Sequence, residues 1–173
     1  MALDAQLMLV GERHGLLTGP GSAGGSSTLS QTEVPVFYTS HEIVAPRSPS
    51  SGLPTGKRHH KPLLVRRVVT GPSMGIRQAF VDNENLTEVR LRYFQPAFQG
   101  GAKQYFTIQL FNANISSIKT MLPYTRAVLK ANAAFTKGNN LLLWEELSFT
   151  YLRIQWTWND PPRSDSDDWL AAR

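Results

Sequence analysis

Three stretches in the second half of the chain alternate apolar and polar residues with a period of two. They cover residues 88–94, 103–121 and 145–158. In the first of them every second residue is apolar, namely Val89, Leu91 and Tyr93. Successive side chains of a strand point to opposite faces, so this period predicts strands that bury one face. We expect a hairpin turn at 99–102 between the first two strands and a β-bulge at 112–114 within the second.

The apolar residues of the last stretch change face partway along it. Leu147, Phe149 and Tyr151 share one face, and the later apolar residues share the other, namely Leu152, Ile154, Trp156 and Trp158. Large apolar groups on both faces indicate a strand at the centre of a two-layer core or one covered by another subunit.

The first half of the chain adds shorter extended segments and one helix. Strands are predicted near 3–9, 34–44 and 63–69, with Pro35 restricting its segment to an edge or a strand start. A proline followed by apolar residues at helical spacing predicts one helix over 73–82. The expected fold class is mainly β, an antiparallel two-sheet β-barrel with one short flanking α-helix and a long protruding loop, with a sandwich as the related alternative.

Two loops and a terminal segment complete the predicted organisation. Residues 15–32 are rich in glycine and serine and predict a flexible loop. Residues 45–62 contain prolines and glycines that break regular structure, and such a length is unusual in a compact domain unless the loop has a function. We expect one domain over 1–159 and a polar, acidic C-terminal tail over 160–173.

Composition excludes several classes of protein. The 173 residues include no cysteine, which rules out a disulfide framework, a cysteine-based zinc site and a thiol nucleophile. The net charge of +5 suits either an anionic partner or a mixed solvated surface. The N-terminus does not resemble a signal peptide and no run approaches the length of a membrane span, so we expect cytoplasmic synthesis and no stable membrane insertion.

Two motifs superficially suggest chemistry. Gly71-Pro-Ser-Met-Gly75 matches the nucleophile-elbow pattern, but all four histidines precede Ser73 and the alternating strands and helices of that fold are absent. The segment 52–58 resembles a phosphate-binding loop with the wrong glycine spacing and with Arg58 in place of the magnesium-binding hydroxyl. We therefore predict no enzymatic activity and no cofactor.

A third motif, the adjacent pair His59 and His60, does not predict a metal site. Neighbouring side chains of an extended segment point to opposite sides, so the two imidazoles cannot easily share one ion. Surface histidines are the simpler interpretation.

The basic cluster at 57–61, followed by Arg66 and Arg67, leaves one alternative function open. Aromatic residues on a barrel can stack single-stranded bases, and the candidates here are Tyr105, Phe106 and Phe111. A single-stranded nucleic-acid-binding β-barrel is therefore the alternative to a structural or assembly role, although aromatic residues at strand spacing usually belong to a core.

Several segments, read in order, resemble the haemolysin-coregulated protein (Hcp) family of the bacterial type VI secretion system. The first half contributes the start Met1-Ala-Leu-Asp-Ala5 and the long-loop motifs His41-Glu-Ile-Val-Ala-Pro-Arg47, Ser51-Gly-Leu-Pro-Thr-Gly-Lys-Arg58 and His60-Lys-Pro62. The second half contributes Tyr105-Phe-Thr-Ile108, Glu145-Glu-Leu-Ser-Phe-Thr-Tyr151, Ile154-Gln-Trp-Thr-Trp158 and Asp167-Asp-Trp169. The resemblance spans nearly the whole chain in collinear order.

The resemblance implies a structural function. Members of the family form hexameric rings that stack head to tail into the inner tube, contact sheath, spike and baseplate components, leave the cell without a signal peptide, and can carry small effectors in the lumen. For this chain it implies that the long loop contacts an adjacent subunit or ring rather than nucleic acid. The residues expected to form that contact are His41, Glu42, Pro46, Arg47, Gly52, Leu53, Pro54, Thr55, Gly56, Lys57, Arg58, His60 and Lys61; no effector-binding residue is assigned.

Overall fold

The computed structural model of the chain describes residues 4–18, 32–97, 100–122 and 143–169. Within these ranges the chain forms one helix and eleven strands. The helix is α1, Pro72–Val81, and the strands are β1 Asp4–Gly11, β2 Gly15–Leu16, β3 Val34–Val36, β4 Tyr38–Ser40, β5 Ile43–Val44, β6 His59–His60, β7 Leu63–Val68, β8 Leu86–Pro96, β9 Ala102–Met121, β10 Trp144–Asn159 and β11 Pro162–Asp168. The predicted mainly β fold with one short helix is confirmed.

Nine of the described strands form one antiparallel sheet. Its central order is β2-β1-β8-β9-β10-β7-β4, with β3 paired to β1 and β11 paired to β10, while β5 and β6 form a separate two-stranded sheet. The chain segment 34–40 joins the two ends of the large sheet, because its first part pairs with β1 and its second part with β7. Between these parts the Phe37 N–H donates to the Arg66 carbonyl at 3.1 Å.

The change of face predicted for β10 is a bend shared by three neighbouring strands. The buried positions in β10 jump from Tyr151 to Ile154, and the paired positions in β9 jump from Ala113 to Leu110. At the centre of this bend Asn112 has φ 49°, a left-handed conformation that asparagine tolerates better than most residues. The bend leaves Leu152 41% exposed, so the core of the subunit does not cover it, and cover by another subunit stays a prediction.

The predicted bulge at 112–114 is also wrong in its position. The β9–β10 pairing keeps its register at Asn112 and shifts instead between Ser148 and Phe149, where Ser148 pairs with Ser117 and Phe149 with Ile115. The extra residue of β9 is therefore Ser116.

The core is one cluster in which side chains of the large sheet pack with those of α1. Residues of five strands and the helix contribute fully buried side chains, including Leu7, Leu9, Leu63, Val65, Ile76, Leu86, Leu91, Leu110, Leu147, Phe149 and Ile154. Ile76 and Ala79 of α1 are buried in this core as their helical spacing predicts, whereas Phe80, which belongs to the same apolar pattern, is 39% exposed.

A buried ionic cluster attaches α1 to the sheet. We call Arg67, Ser73, Arg77 and Glu145 the helix cluster. Glu145 accepts hydrogen bonds from the Ser73 hydroxyl at 2.7 Å and from Arg77 Nη2 at 3.1 Å, and its Oε1 lies 3.7 Å from Arg67 Nη1. Glu145 and Arg67 are 0% and 1% exposed, so the two charges compensate each other away from water.

The predicted acidic tail over 160–173 is wrong for most of its length. Residues 162–168 form β11, which pairs with residues 153–159 of β10 and extends the sheet. Almost every side chain of β11 is exposed, so this strand has no apolar alternation by which a sequence pattern could reveal it.

The predicted Gly/Ser loop lies largely outside the described residues. Of the segment 15–32, residues 15–18 and Thr32 are described, and Gly15 and Leu16 form β2. The Leu17 and Thr18 side chains that follow are buried, so this first part of the segment belongs to the folded body.

The predicted hairpin turn is described in part. Gly100 and Gly101 have φ values of 88° and 86°, which favour glycine, whereas Gln99 is outside the described ranges. No helix within the described ranges is long and apolar enough to cross a bilayer.

Candidate assembly interface

The long loop is a hairpin with a paired stem. Ile43 pairs with His60 and Val44 pairs with His59 in the small antiparallel sheet, and the Lys61 N–H donates to the Glu42 carbonyl at 2.9 Å. The predicted absence of regular structure over 45–62 is therefore wrong at its end, where β6 supplies one side of the stem. We call residues 41–61 the assembly loop.

The outer part of the assembly loop is closed by a second set of backbone hydrogen bonds. Arg47 and Pro54 form an isolated bridge, and the Thr55 N–H donates to the Pro46 carbonyl at 3.0 Å. Gly52 turns the chain with φ 69°, and its carbonyl accepts a hydrogen bond from Arg47 Nη1 at 3.0 Å. These contacts hold Leu53 at the tip with 65% of its surface exposed.

The base of the assembly loop is fastened to the body by polar side chains. The Tyr151 hydroxyl lies 2.6 Å from His41 Nε2 and 2.9 Å from His60 Nδ1. On its other side, His60 Nε2 lies 3.0 Å from Asp167 Oδ2. We call His41, His60, Tyr151 and Asp167 the base cluster; it joins the loop to β10 and β11.

Ion pairing and aromatic packing enclose the base cluster. Arg58 forms two hydrogen bonds with the Asp167 carboxylate, so the loop reaches the same carboxylate from a second position. The Trp169 ring lies 5.4 Å from Tyr151 and 5.8 Å from His60. Because His60 and Tyr151 are only 5% exposed, their hydrogen bonds are largely shielded from water.

The environment of the base cluster shifts the pKa of three of its groups. The hydrogen bond from Arg58, opposed in part by burial and reinforced by His60, holds the pKa of Asp167 below its usual value. Burial, followed by the nearby His60, lowers the pKa of His41. Burial and the Asp167 charge raise the pKa of Tyr151, so the phenol stays protonated.

The basic cluster at 57–67 is not a free positive surface. Arg58 is paired with Asp167, Lys61 lies 2.8 Å from Glu42, and Arg66 lies 2.6 Å from Glu146. Arg67 is buried in the helix cluster. Among the basic residues of this segment, Lys57 is the one for which the described part of the chain shows no ion pair.

The aromatic residues that suggested base stacking are occupied by contacts within the chain. Phe106 packs on the core and lies 5.6 Å from Tyr93, and the Arg153 guanidinium covers the Phe111 ring at 4.2 Å. Tyr105 packs on Trp158 at 5.6 Å. Together with the paired arginines, this packing does not favour the nucleic-acid alternative.

The nucleophile-elbow motif has a structural explanation. Ser73 is 0% exposed, donates its hydroxyl hydrogen to Glu145 and accepts the Thr70 N–H at 3.0 Å. Its hydroxyl therefore connects α1 to the sheet and is closed off from substrates.

The adjacent histidines also behave differently from a surface pair. They point to opposite sides as expected, but His60 is buried while His59 is exposed.

The structure brings the predicted loop residues together with three residues that the sequence did not assign to the site. Tyr151, Asp167 and Trp169 lie more than 80 positions beyond the loop in the chain, yet they surround its base. The motifs containing them were visible in the sequence, but nothing local indicated that they meet the loop.

Solved structures define the class of protein to which this fold belongs. The chain superposes on a crystal structure of an Hcp protein with a TM-score of 0.86 at 24% identity, over 99% of this chain and 100% of that one. It superposes on the secreted protein Hcp3 from Pseudomonas aeruginosa with a TM-score of 0.76 at 26% identity, over 98% and 100% of the two chains. The fold is that of the Hcp proteins.

Sequence comparison supports the same assignment. The family described as "Type VI secretion system effector, Hcp" matches residues 17–158. The "Major exported protein" of Pseudomonas aeruginosa is 32% identical over 176 aligned positions, which cover 99% of this chain and 98% of that protein. The chain belongs to the Hcp family and is a tube protein of the type VI secretion system.

Proposed function

We propose that the protein forms hexameric rings that stack head to tail, and that the assembly loop supplies the contact between successive rings. The observation that carries this proposal is the construction of the loop: a bridged hairpin, clamped at its base, which presents an exposed leucine at its tip. A contact surface held in one conformation before binding loses less entropy on association.

Head-to-tail stacking requires two different surfaces on each subunit. The contact is heterologous, since the loop of one ring meets another surface on the next, and repetition of such a contact builds an open tube. Leu53 supplies apolar area to this contact, while Arg47, which hydrogen-bonds the Gly52 carbonyl, adds positive charge at the tip. The central location of a desolvated side chain within a polar rim is typical of interface hot spots.

The remaining parts of the proposal follow from membership of the family. The subunit is made in the cytoplasm and leaves through the secretion machine, surrounded by the sheath and capped by the spike. It contributes a wall and a lumen for small effectors, and it performs no bond-making chemistry.

Ring formation is tested by light scattering of the purified full chain. We expect the mass of a hexamer, and negative-stain images should show rings. A protein that stays monomeric at high concentration contradicts the proposal.

The role of the loop is tested by deleting residues 48–56. The deletion removes the Arg47–Pro54 bridge and the tip but leaves the β5–β6 stem and the base cluster, so rings should persist while tubes disappear. Leu53→Asp should have the same effect, and Met74→Asp on α1 is the matched control because Met74 is 60% exposed but lies outside the loop. Normal tubes after the deletion would refute the loop contact.

A further inference from the structure

The hydrogen bonds of the base cluster have a single consistent direction at neutral pH. The ionised Asp167 can only accept, so His60 donates to it from Nε2. In a neutral His60 the other ring nitrogen, Nδ1, is then an acceptor and takes the Tyr151 hydroxyl hydrogen. The Tyr151 oxygen in turn accepts from His41 Nε2, which completes a chain from the loop entrance to β11.

This series of hydrogen bonds cannot accommodate two additional protons. If both imidazoles are charged, His41 Nε2 and His60 Nδ1 both donate to the one Tyr151 oxygen, and the phenolic hydrogen is left without an acceptor in the cluster. A buried donor without a partner is unfavourable, and here two positive rings would also lie 6.2 Å apart.

The surrounding charges add to this conflict. The groups facing His41 are Tyr151 and Trp156 of β10 and His60 of β6. His60 faces Tyr151, Trp169 and the Asp167 carboxylate, and that carboxylate is already neutralised by Arg58. One carboxylate is therefore shared by an arginine and a histidine, so protonating both histidines leaves excess positive charge.

We propose that the base cluster is a pH-sensitive latch, which holds the assembly loop in one conformation while no more than one of His41 and His60 is charged and releases it when both rings are protonated. The consequence for tubes rests on the proposed role of the loop in stacking: acidification loosens the loop and weakens contacts between rings without unfolding the body of the subunit.

The direction of the effect follows from linkage. Burial, followed by the charge on His60, lowers the pKa of His41 below the ordinary histidine value of 6.5 in the latched state, so the released state binds this proton more tightly. Stability of the latch is complete above 6.5 and is lost as the pH falls towards the lowered pKa. One coupled proton changes the equilibrium between latched and released loops by at most about tenfold per pH unit.

The absence of cysteine makes a direct measurement possible. A nitroxide label on Leu53→Cys is the sole labelled site in the full chain and reports motion of the loop tip. We expect the mobile fraction in its spectrum to rise as the pH is lowered from about 8 to about 5, the range in which imidazoles titrate. A mobile fraction that stays constant over this range overturns the latch.

Two histidine variants identify the responsible group. His41→Gln, which can still donate an amide hydrogen but cannot titrate, should remove the pH response of the label. His59→Gln is the matched control, since His59 is exposed and lies on the opposite side of β6. Retention of the response in His41→Gln, or its loss in His59→Gln, overturns the proposal.

A third variant, Tyr151→Phe, distinguishes release of the loop from unfolding of the subunit. Tyr151→Phe removes only the shared oxygen, and its label should already be mobile at neutral pH while the circular dichroism of the sheet is unchanged. An immobile label in this variant contradicts the latch. Because Leu53 itself lies in the proposed contact between rings, sedimentation at each pH shows whether rings are stacked, and the spectra are compared for unstacked protein, so that failure of the latch and failure of stacking are distinguished.

Discussion

The helix cluster and the base cluster are two buried polar groups that use the same strand for different purposes. Both centre on inward-facing residues of β10, Glu145 in one and Tyr151 in the other. In the helix cluster the partners are arginines, which stay charged at any physiological pH. In the base cluster they are imidazoles and a phenol, and imidazoles change charge near neutrality.

This difference indicates that the helix cluster holds α1 at any physiological pH, whereas the attachment of the assembly loop by the base cluster depends on pH. Burial lowers the pKa of Arg67, but Glu145 opposes this shift and the guanidinium remains charged. The attachment of α1 to the sheet therefore involves no imidazole. The assembly loop is attached through groups whose hydrogen bonds depend on the combined protonation of His41 and His60.

The largest expected effect on stability is that of breaking the helix cluster. Glu145→Ala leaves the fully buried Arg67 without its counter-charge, and breaking a buried pair in this way lowers the free energy of unfolding by about 3–5 kcal/mol. Urea denaturation followed by circular dichroism measures it. Glu146→Ala, which removes the partly exposed pair with Arg66, is the adjacent control with an expected change below about 1 kcal/mol. Equal effects of the two variants would contradict the distinction.

A smaller effect on stability is expected when the base cluster is broken. Tyr151→Phe leaves buried nitrogens of His41 and His60 without their shared partner and should lower the free energy of unfolding by about 1–3 kcal/mol. The same denaturation assay applies. Tyr105→Phe is the control, because Tyr105 contacts Trp158 through its ring and its hydroxyl makes no hydrogen bond with the described residues. A neutral Tyr151→Phe would mean that the cluster contributes little to stability.

The dependence of the free energy of unfolding on acidic pH should differ between a variant of Asp167 and a variant of its neighbour Asp168. Asp167 has a lowered pKa in the folded state, so its contribution is present above the ordinary carboxyl pKa and is lost as the pH falls through the lowered value. Asp167→Asn should therefore be less stable at neutral pH and lose less stability between about pH 5 and about pH 2. Unfolding free energies measured across this range test the slope.

The control for this slope is Asp168→Asn, since Asp168 is exposed and forms no ion pair with the described residues. Some slope will remain in both variants because of Glu84. Burial raises the pKa of Glu84, but hydrogen bonds from His14 and from the Arg13 N–H lower it further than that, so Glu84 also loses a stabilising contribution in acid. An unchanged slope in Asp167→Asn would contradict the role of Arg58 and His60 at this carboxylate.

The smallest effect on folding is expected at the loop tip. Leu53→Asp should change the free energy of unfolding by no more than about 0.5 kcal/mol, because the side chain is 65% exposed and packs on no core residue. A larger destabilisation would show that the tip is part of the subunit's own core and would weaken the proposal that it serves contacts between rings.

The elements that could be predicted from sequence are those with a local periodic signal. The strands at 88–94 and 145–158 were predicted close to their observed bounds, and the helix was predicted within one residue at each end. The strand Pro162–Asp168 was missed because its serines and aspartates are exposed on both faces, which removes the alternation on which such predictions depend.

Only the loop half of the candidate site could be predicted from the sequence, for a related reason. The loop residues lie in one segment and carry a recognisable motif, but the groups that fasten them come from β10 and β11, with Tyr151 91 positions beyond His60. Likewise, sequence patterns argued against a catalytic Ser73 but did not reveal its structural role, because its partner Glu145 lies 72 positions away in the chain.

Side-chain periodicity, the proline and glycine content of the long loop and the absence of cysteine are properties of the sequence itself, and they were enough to establish a cysteine-free antiparallel β protein with one helix and an extended loop. Which charges are buried together, where three strands bend at Asn112, and how the loop is clamped depend on the tertiary structure. The physical reason is that period and composition are local, whereas hydrogen bonds between strands and the exclusion of water are decided by residues far apart in the chain.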